Sequence, residues 1–251
     1  MIDLFVKRSG KGDPVILLHG YMESSSMWEG LFDLDLGIEW LAFDLPGHGC
    51  SPLEETSPEP SIDYYSHQIV DYLKANKIDD FHVVGHSMGG YVALRIKEMH
   101  SGCRKVILLN SNPWEDAPQK KLDRLRVADI AYKAKELFIQ QAVPALFYKS
   151  GEHKTVIKQL IEEASHMTPD AIAYAALAMR TRQDKTAVIQ RNSSDFLILQ
   201  GNHDPLIPRD NMENWSTINA IPIEILNDSG HMSHLEEPLL VSQCVQRFIL
   251  G

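Results

Sequence analysis

Cysteine, long apolar runs and positive charge are all scarce in this chain, and each shortage excludes a class of protein. The three cysteines, Cys50, Cys103 and Cys244, are odd in number and far apart, so neither a disulfide framework nor a cysteine-rich zinc site is expected. No stretch approaches about 18 apolar residues without a charge, which predicts that no segment spans a membrane. Residues 1–15 lack the apolar run of a secretory signal. We therefore expect a cytoplasmic protein.

Basic residues are outnumbered, because 24 lysines and arginines face 34 aspartates and glutamates, for a formal net charge of −10. Phosphate-binding surfaces need clustered lysine and arginine, so nucleic acid and anionic membranes are not expected as partners. The pair Lys120-Lys121 sits among acidic residues and is expected on a solvated helix face. The 251 residues suffice for one large core. A small molecule is the expected partner, and the sequence leaves the oligomeric state open.

Short apolar runs alternate with amphipathic segments along most of the chain. The runs are rich in β-branched residues and apolar nearly throughout, which is typical of strands buried on both faces. The predicted strands are Pro14–Leu18, Glu39–Phe43, Phe81–Val84, Lys105–Leu109, Asp195–Leu199 and Ile221–Leu226. Helical spacing predicts helices over Ser61–Ala75, Met88–Met99 and Glu236–Ile249. This repetition implies a doubly wound, mostly parallel α/β sheet.

One region, residues 113–191, breaks this rhythm. It holds helical patterns, roughly at Gln119–Gln141, Thr155–Ala164 and Pro169–Arg180, but no convincing strand. We predict a helical cap inserted at 113–191 into a core of residues 1–112 and 192–251. The cap region is expected to set substrate choice. Its apolar side chains either line an acyl pocket or form helix–helix core, and they are Trp114, Leu125, Ile130, Leu137, Phe138, Phe147, Tyr148, Tyr174 and Met179.

The clearest chemistry lies in Gly85-His86-Ser87-Met88-Gly89, a motif of the form GxSxG between a predicted strand and a predicted helix. In that context the serine occupies a sharp, strained strand-to-helix turn, which lifts its Oγ above the sheet edge. The helix N-terminus then offers free N–H groups to a developing oxyanion. Ser87 is therefore the predicted nucleophile.

A serine hydroxyl needs a base, and the base needs an orienting acid. This kind of turn goes with the chain order serine, acid, histidine. Asp204, in the loop after the fifth predicted strand, is preferred as acid to Asp44, which precedes the serine, and to Asp228, which leaves little loop before the histidine. His231, in a glycine-containing loop after the last strand, is preferred as base to His234. No third ligand stands near these two histidines at helical spacing, so a zinc site is not expected.

Other polar residues receive plainer interpretations. Strand alternation points the side chain of His86 away from the neighbouring serine. Arg180 and Arg182 could bind an acidic substrate, but a solvated helix end is the preferred interpretation.

Five motifs together resemble the α/β-hydrolase superfamily, in order along nearly the whole chain. They are Leu18–Tyr21 (LHGY), Asp44–Ser51 (DLPGHGCS), Gly85–Gly90 (GHSMGG), Gly201–Pro208 (GNHDPLIP) and Gly230–Pro238 (GHMSHLEEP). The resemblance covers the cap region least. It implies a serine esterase-like enzyme with Ser87, Asp204 and His231 as catalytic triad. It also implies an oxyanion hole of two backbone N–H groups, from Met88 and from Tyr21, with Met22 as a weaker alternative to Tyr21.

The expected reaction is hydrolysis of a small carboxylic ester through an acyl-enzyme on Ser87, without metal or organic cofactor. Lactone opening, C–C bond hydrolysis and elimination of a carboxylate are alternatives for the same triad, because fold does not fix reaction. A non-catalytic ligand-binding protein is disfavoured because all three triad members are present. A haloalkane dehalogenase would need a carboxylate at position 87. A secreted lipase is disfavoured by the missing signal and disulfides.

Overall fold

The computed structural model describes residues 3–32 and 37–251, and within these ranges seven strands form one sheet. The strands are β1 Val6–Gly10, β2 Asp13–Leu18, β3 Ile38–Phe43, β4 Phe81–His86, β5 Cys103–Leu109, β6 Phe196–Gly201 and β7 Ile223–Leu226. Their order is β1-β3-β2-β4-β5-β6-β7. Every neighbouring pair is parallel except β1 with β3. The predicted doubly wound, mostly parallel α/β sheet is confirmed.

Eleven helices lie within the described ranges, and five of them fall between β5 and β6. They are α1 Glu29–Phe32, α2 Ile62–Ala75, α3 Met88–Met99, α4 Pro118–Lys133, α5 Lys135–Ala142, α6 Lys154–His166, α7 Pro169–Arg180, α8 Thr186–Arg191, α9 Arg209–Asn219, α10 Ser233–Glu236 and α11 Pro238–Leu250. Short 3₁₀ turns occupy Ser25–Trp28, Pro144–Leu146, Ser150–Glu152 and Ser193–Asp195. No helix in the part of the chain that the structure describes combines the length and apolarity needed to cross a bilayer.

The sheet is buried on both faces because successive side chains of a strand point to opposite sides. Ile16 and Leu18 of β2 join one apolar core, which includes α2 and α3. Val15 and Leu17 of the same strand join a second core on the other face, which includes α11. The nearly continuous apolar runs in the sequence therefore correctly indicate central parallel strands, which are covered on both faces.

Helices α4 to α8 all fall between β5 and β6, the interval in which the sequence predicts an inserted cap. Most of these helices share an apolar cluster of their own, which includes Ile139, Leu160 and Ile172. α4 packs along α7. α8 instead packs against α3, a helix that lies directly on the sheet. The division of the chain into core and cap domains stays a prediction.

Strand β1 and helix α9 were not predicted, and both are polar segments at the periphery. β1 is a half-exposed edge strand with the sequence VKRSG. In α9 only Met212 and Ser216 are buried, so little apolar periodicity marks this helix. Contacts with the rest of the fold, rather than an apolar pattern in the sequence, explain why these two segments form a strand and a helix.

Two predicted helices have different bounds in the structure, and in each case a residue with non-helical backbone angles explains the difference. The segment Gln119–Gln141 is two helices, since Ala134 between them has φ −153° and ψ 42°, outside the helical region. The last helix begins at Pro238 rather than Glu236. Glu237, the residue just before its first turn, has φ −130°, outside the helical region. Glu236 instead ends the short helix α10.

Candidate active site

Ser87 lies on the turn between β4 and α3, with φ 48° and ψ −113°. A non-glycine residue rarely adopts such a positive φ, so this backbone is strained. The turn is held by two hydrogen bonds: Ser87 N–H donates to the carbonyl of Leu109 at 3.0 Å, and Ser111 Oγ donates to the carbonyl of Ser87 at 2.7 Å. The predicted strand–serine–helix geometry is present.

The glycines of the motif are required by close backbone approach. A Cβ on Gly85 would overlap the carbonyl of Gly89, and a Cβ on Gly89 would overlap the carbonyl of Leu18 on the neighbouring strand β2. The tight turn therefore leaves no room for a side chain at either position.

The structure brings the three predicted triad residues into one hydrogen-bonded chain. His231 Nε2 lies 2.9 Å from Ser87 Oγ, and His231 Nδ1 lies 2.9 Å from Asp204 Oδ2. All three follow strands whose carboxyl ends meet at one edge of the parallel sheet: Ser87 follows β4, Asp204 follows β6 and His231 follows β7. The histidine and the acid are buried. Both imidazole nitrogens are thus engaged in the arrangement that base catalysis by histidine requires.

Asp204 is held as a carboxylate by a dense set of donors. Its Oδ2 accepts from the side-chain amides of Asn110 at 3.0 Å and Gln200 at 3.2 Å. Its Oδ1 accepts from the backbone N–H groups of Leu206 at 2.8 Å and Ile207 at 3.0 Å. Burial raises the pKa of Asp204, but His231 and these donors outweigh it, and the pKa lies below its ordinary value. Sequence analysis missed Asn110 and Gln200 because neither amide belongs to a recognisable motif.

The two predicted oxyanion donors come from different segments, the start of α3 and the loop after β2. Met88 is the first residue of α3, so its N–H has no partner within that helix. Tyr21 lies in the loop after β2 and lines the same cavity as Ser87, while its hydroxyl donates to the carbonyl of Ile172 at 3.1 Å. Met22, the weaker alternative to Tyr21, is a buried residue with φ 62°.

His231 is positioned through its main chain from two sides. Its N–H donates to the carbonyl of Leu146 at 2.7 Å. Glu236 accepts from the N–H groups of Tyr148 at 2.7 Å, Gly230 at 2.9 Å and Met232 at 3.2 Å. Burial raises the pKa of Glu236 to about 7, although these three donors oppose the rise. The loop of the histidine is therefore bound to the segment around Leu146–Tyr148 in the cap region.

His86 does point away from the serine, but its role is larger than the sequence suggested. The imidazole is fully buried, and its Nε2 donates to the carbonyl of His231 at 2.8 Å. Its Nδ1 lies 2.9 Å from Oε2 of the buried Glu23, which also accepts from the N–H of Gly20 at 2.6 Å. A Cβ on Gly20 would lie 2.8 Å from this carboxylate and 2.9 Å from the imidazole. Glycine in the LHGY motif thus leaves room for the pair.

The rejected candidates have structural partners away from Ser87. Asp44 accepts from the N–H groups of Ser25 and Cys50, and the exposed Asp228 pairs with Lys149 at 3.3 Å. His234 packs on Trp28 and His86, with ring centroids 5.2 Å and 4.6 Å apart. Among the described residues, no group of three or more His, Cys, Asp or Glu side chains is placed to hold a metal ion.

A cavity of about 610 Å³ opens above Ser87 and His231, walled by the cap region and by the loop after β6. Of the nine apolar residues proposed from sequence, Trp114, Phe138 and Met179 line it. Leu125 and Leu137 are instead exposed.

The sequence interpretation of one basic residue is wrong, and that of another is incomplete. Arg182 does not lie on a solvated helix end, since its side chain is 7% exposed and lines the cavity. Lys120 is exposed, as expected for a solvated helix face, but it also lines the cavity, whereas the adjacent Lys121 lies outside it and pairs with Glu115 at 2.6 Å. A helix that covers the site presents successive residues to different surroundings, which charge counting along the sequence does not resolve.

The model of the alpha/beta hydrolase family matches residues 15–243, and the chain belongs to that family. Among curated proteins, a putative 2-succinyl-6-hydroxy-2,4-cyclohexadiene-1-carboxylate synthase of Haemophilus influenzae is 26% identical, over 94% of this chain and 97% of that protein. The mouse monoacylglycerol lipase ABHD6 is 22% identical, over 98% of this chain and 78% of that protein.

Solved structures agree with this family and fold. A thermophilic esterase from Thermogutta terrifontis, solved with malate bound, superposes with a TM-score of 0.91 at 26% identity, over 99% of this chain and 93% of that one. An esterase from Exiguobacterium antarcticum has a TM-score of 0.88 at 21% identity, over 99% of this chain and 96% of that one. Family and fold together support a hydrolase.

Proposed function

We propose that this protein is a serine hydrolase that cleaves a small carboxylic ester through an acyl-enzyme on Ser87. The observation that carries the proposal is the hydrogen-bonded chain from Ser87 through His231 to Asp204, with both links at 2.9 Å. It lies beneath a cavity large enough for a small substrate. The esterases and the lipase to which the chain is similar support the same reaction class.

Each step of the proposed reaction is assigned to a group of this chain. His231 Nε2 takes the proton of Ser87 as Oγ attacks the ester carbonyl, and the N–H groups of Met88 and Tyr21 bind the oxyanion. The protonated histidine then gives its proton to the leaving alcohol. Water, activated by the same imidazole, releases the acid from the serine. Asp204 stays ionised throughout, because its pKa is depressed, and it holds the proton on Nδ1.

A synthase-type reaction is the second candidate, since the synthases of Haemophilus influenzae and Serratia proteamaculans each align with nearly the whole chain at 26% identity. The same base and oxyanion donors could then eliminate a carboxylate from an acidic substrate, with no ester cleaved. The cytoplasmic location and the small-molecule partner expected from the sequence stay proposals.

The test compares the purified protein with Ser87→Ala on p-nitrophenyl acetate and butyrate. We expect Ser87→Ala to lower kcat by about 10⁴-fold or more, because the nucleophile is gone. Ser194→Ala, an exposed serine after α8, is the matched control and should be unchanged. A fluorophosphonate probe should add one mass increment to the wild type and none to Ser87→Ala. Ester turnover that persists in Ser87→Ala refutes the assignment, and a wild type that neither cleaves esters nor takes the probe favours the second candidate.

A further inference from the structure

Three basic side chains, Lys120, Arg124 and Arg182, line the same cavity as Ser87 and His231. We propose that these three side chains form a subsite for a free carboxylate of the substrate, so that the compound cleaved is an ester with one unesterified carboxyl group. The inference rests on the proposed ester hydrolysis and specifies its substrate class.

The cluster is built around a single carboxylate. Arg182 Nη1 forms an ion pair with Asp116 Oδ1 at 2.7 Å, and Asp116 Oδ2 accepts from Arg124 Nε at 3.1 Å. Asp116 is buried, and so is nearly all of the Arg182 side chain. One aspartate thus orients two guanidinium groups toward the cavity.

Arg182 is fixed further by its surroundings. Its Nε donates to the carbonyl of Trp114 at 2.9 Å, and its Nη1 also donates to the carbonyl of Met179 at 3.0 Å. Its guanidinium lies 4.0 Å from the centroid of the Tyr91 ring. Within the described residues, Arg182 Nη2 has no hydrogen-bond acceptor. A guanidinium held in this way loses little conformational freedom when a carboxylate binds it.

The charges around the cavity do not cancel. Two of its acids are already matched, because Glu23 pairs with His86 and Glu115 pairs with Lys121. Asp116 remains, against the three cations, and leaves an excess of two positive charges in a chain whose formal net charge is −10.

Lys120 carries the least compensated of these charges. In the part of the chain that the structure describes, no carboxylate lies within ion-pair distance of its Nζ. Burial and the neighbouring Arg124 lower the pKa of Lys120, against the smaller opposing effect of Asp116. An anionic ligand beside this ammonium would relieve that crowding.

A carboxylate fits this set better than a neutral group. Guanidinium groups bind carboxylates through paired N–H bonds, and such charge-assisted bonds are shorter and stronger than those between neutral groups. Because the cations and the nucleophile share one cavity, the carboxylate and the ester belong to one molecule. The carboxylate can sit on the acyl half or on the leaving alcohol, and substrate pairs separate the two.

The first experiment measures kcat/KM for two matched pairs at low ionic strength. Mono-p-nitrophenyl glutarate against p-nitrophenyl valerate tests the acyl half, and 4-acetoxybenzoate against its methyl ester tests the alcohol half. We expect kcat/KM to be at least tenfold higher for the charged member of one pair. Because the site is partly exposed, 1 M NaCl should screen the cations and abolish that preference. Equal rates within both pairs would overturn the subsite.

The second experiment uses Lys120→Met, which leaves the Asp116 pairs intact, and Arg124→Met. The ratio of charged to neutral kcat/KM should fall at least fivefold in each variant. Arg126→Met is the matched control, an exposed arginine of the same helix that pairs with Asp123 at 3.0 Å, and it should keep the wild-type ratio. An unchanged ratio in Lys120→Met and Arg124→Met would contradict the assignment.

Binding separates this inference from the proposed function. Glutarate titrated calorimetrically into Ser87→Ala should bind, and Ser87→Ala/Lys120→Met should bind at least fivefold more weakly. If the wild type cleaves no ester yet glutarate binds with this dependence, the subsite stands and the proposed hydrolysis fails. If neutral esters are cleaved but glutarate does not bind and no charge preference is seen, the hydrolase stands and the subsite fails.

Discussion

His86 and Glu23 form a buried ion pair directly behind the proposed catalytic base, with Nδ1 and Oε2 2.9 Å apart. The other imidazole nitrogen donates to the main-chain carbonyl of His231 at 2.8 Å. Burial lowers the pKa of His86, but Glu23, the carbonyl of His231 and Asp204 together outweigh it, and the pKa is raised. Burial likewise raises the pKa of Glu23, but His86, His19 and the N–H of Gly20 together outweigh it, and the pKa is lowered. The pair therefore supports the loop of His231 in its charged form.

Glu23→Gln should reduce both stability and turnover. Removing one partner of a buried pair costs about 3 kcal/mol of unfolding free energy, measured by urea denaturation near pH 6. We also expect kcat to fall with little change in KM, because the loop of His231 loses support while the cavity cations remain. Glu29→Gln, an exposed glutamate paired with Lys7, is the control and should cost less than about 1 kcal/mol. Equal small losses in both variants would show that the buried pair contributes nothing.

The contribution of this pair should depend on pH. Since the folded-state pKa of His86 is raised above 6.5, its stabilisation is complete below 6.5 and is lost as the pH rises through the raised value. Since the folded-state pKa of Glu23 is lowered below 4.5, its stabilisation is complete above 4.5 and is lost as the pH falls.

The difference in unfolding free energy between wild type and Glu23→Gln should thus be largest between about pH 4.5 and 6.5. It should shrink on both sides of that window in urea titrations from pH 4 to 9. A difference that stays constant over this range would mean that the pair is not ionic.

Asp204→Asn should lower kcat by about 10⁴-fold, because an amide no longer fixes the productive tautomer of His231 or stabilises its charged form. Steady-state kinetics on p-nitrophenyl butyrate measure the effect. Asp228→Asn is the matched control, since this aspartate also follows a strand but is exposed and pairs with Lys149. An Asp204→Asn variant that keeps most of its kcat, like the control, would place the orienting acid elsewhere.

Gly89→Ala should destabilise the fold severely, because the new Cβ would overlap the carbonyl of Leu18 on the adjacent strand. We expect a fall in Tm of more than about 5 °C, or no soluble protein. Gly151→Ala provides the comparison, since nothing lies within 4 Å of a Cβ at that position, and it should melt within about 2 °C of wild type. Normal melting of Gly89→Ala would show that the turn can relax.

The fold and the meeting of Ser87, Asp204 and His231 at one sheet edge could be predicted because each follows from local order along the chain. Ser87, Asp204 and His231 each come after an apolar strand, and parallel strands bring such loops to one edge. Glu23 could not be paired with His86 in this way, since their contact joins positions 63 residues apart with no pattern in common. The amide of Asn110 was missed for the same reason.

The basic residues of the cap region show a second limit. The sequence predicts solvated side chains for Lys120 and Arg182, but Arg182 is nearly buried and the exposed Lys120 also lines the cavity, because their surroundings depend on how α4 and α7 lie over the sheet. Helix placement is a tertiary property, and it decides which residue of a polar stretch faces the cavity.

The hydrogen bonds that join the loop of His231 to Leu146 and Tyr148 have a mechanical consequence. A displacement of this end of the cap region by more than about 1 Å would break the bond from His231 N–H and the one that Tyr148 N–H donates to Glu236. Opening here would therefore release the base from alignment with the serine. The proposed nucleophile and base therefore stay aligned only while these two hydrogen bonds are kept, and we expect substrate to enter past another part of the cavity rim.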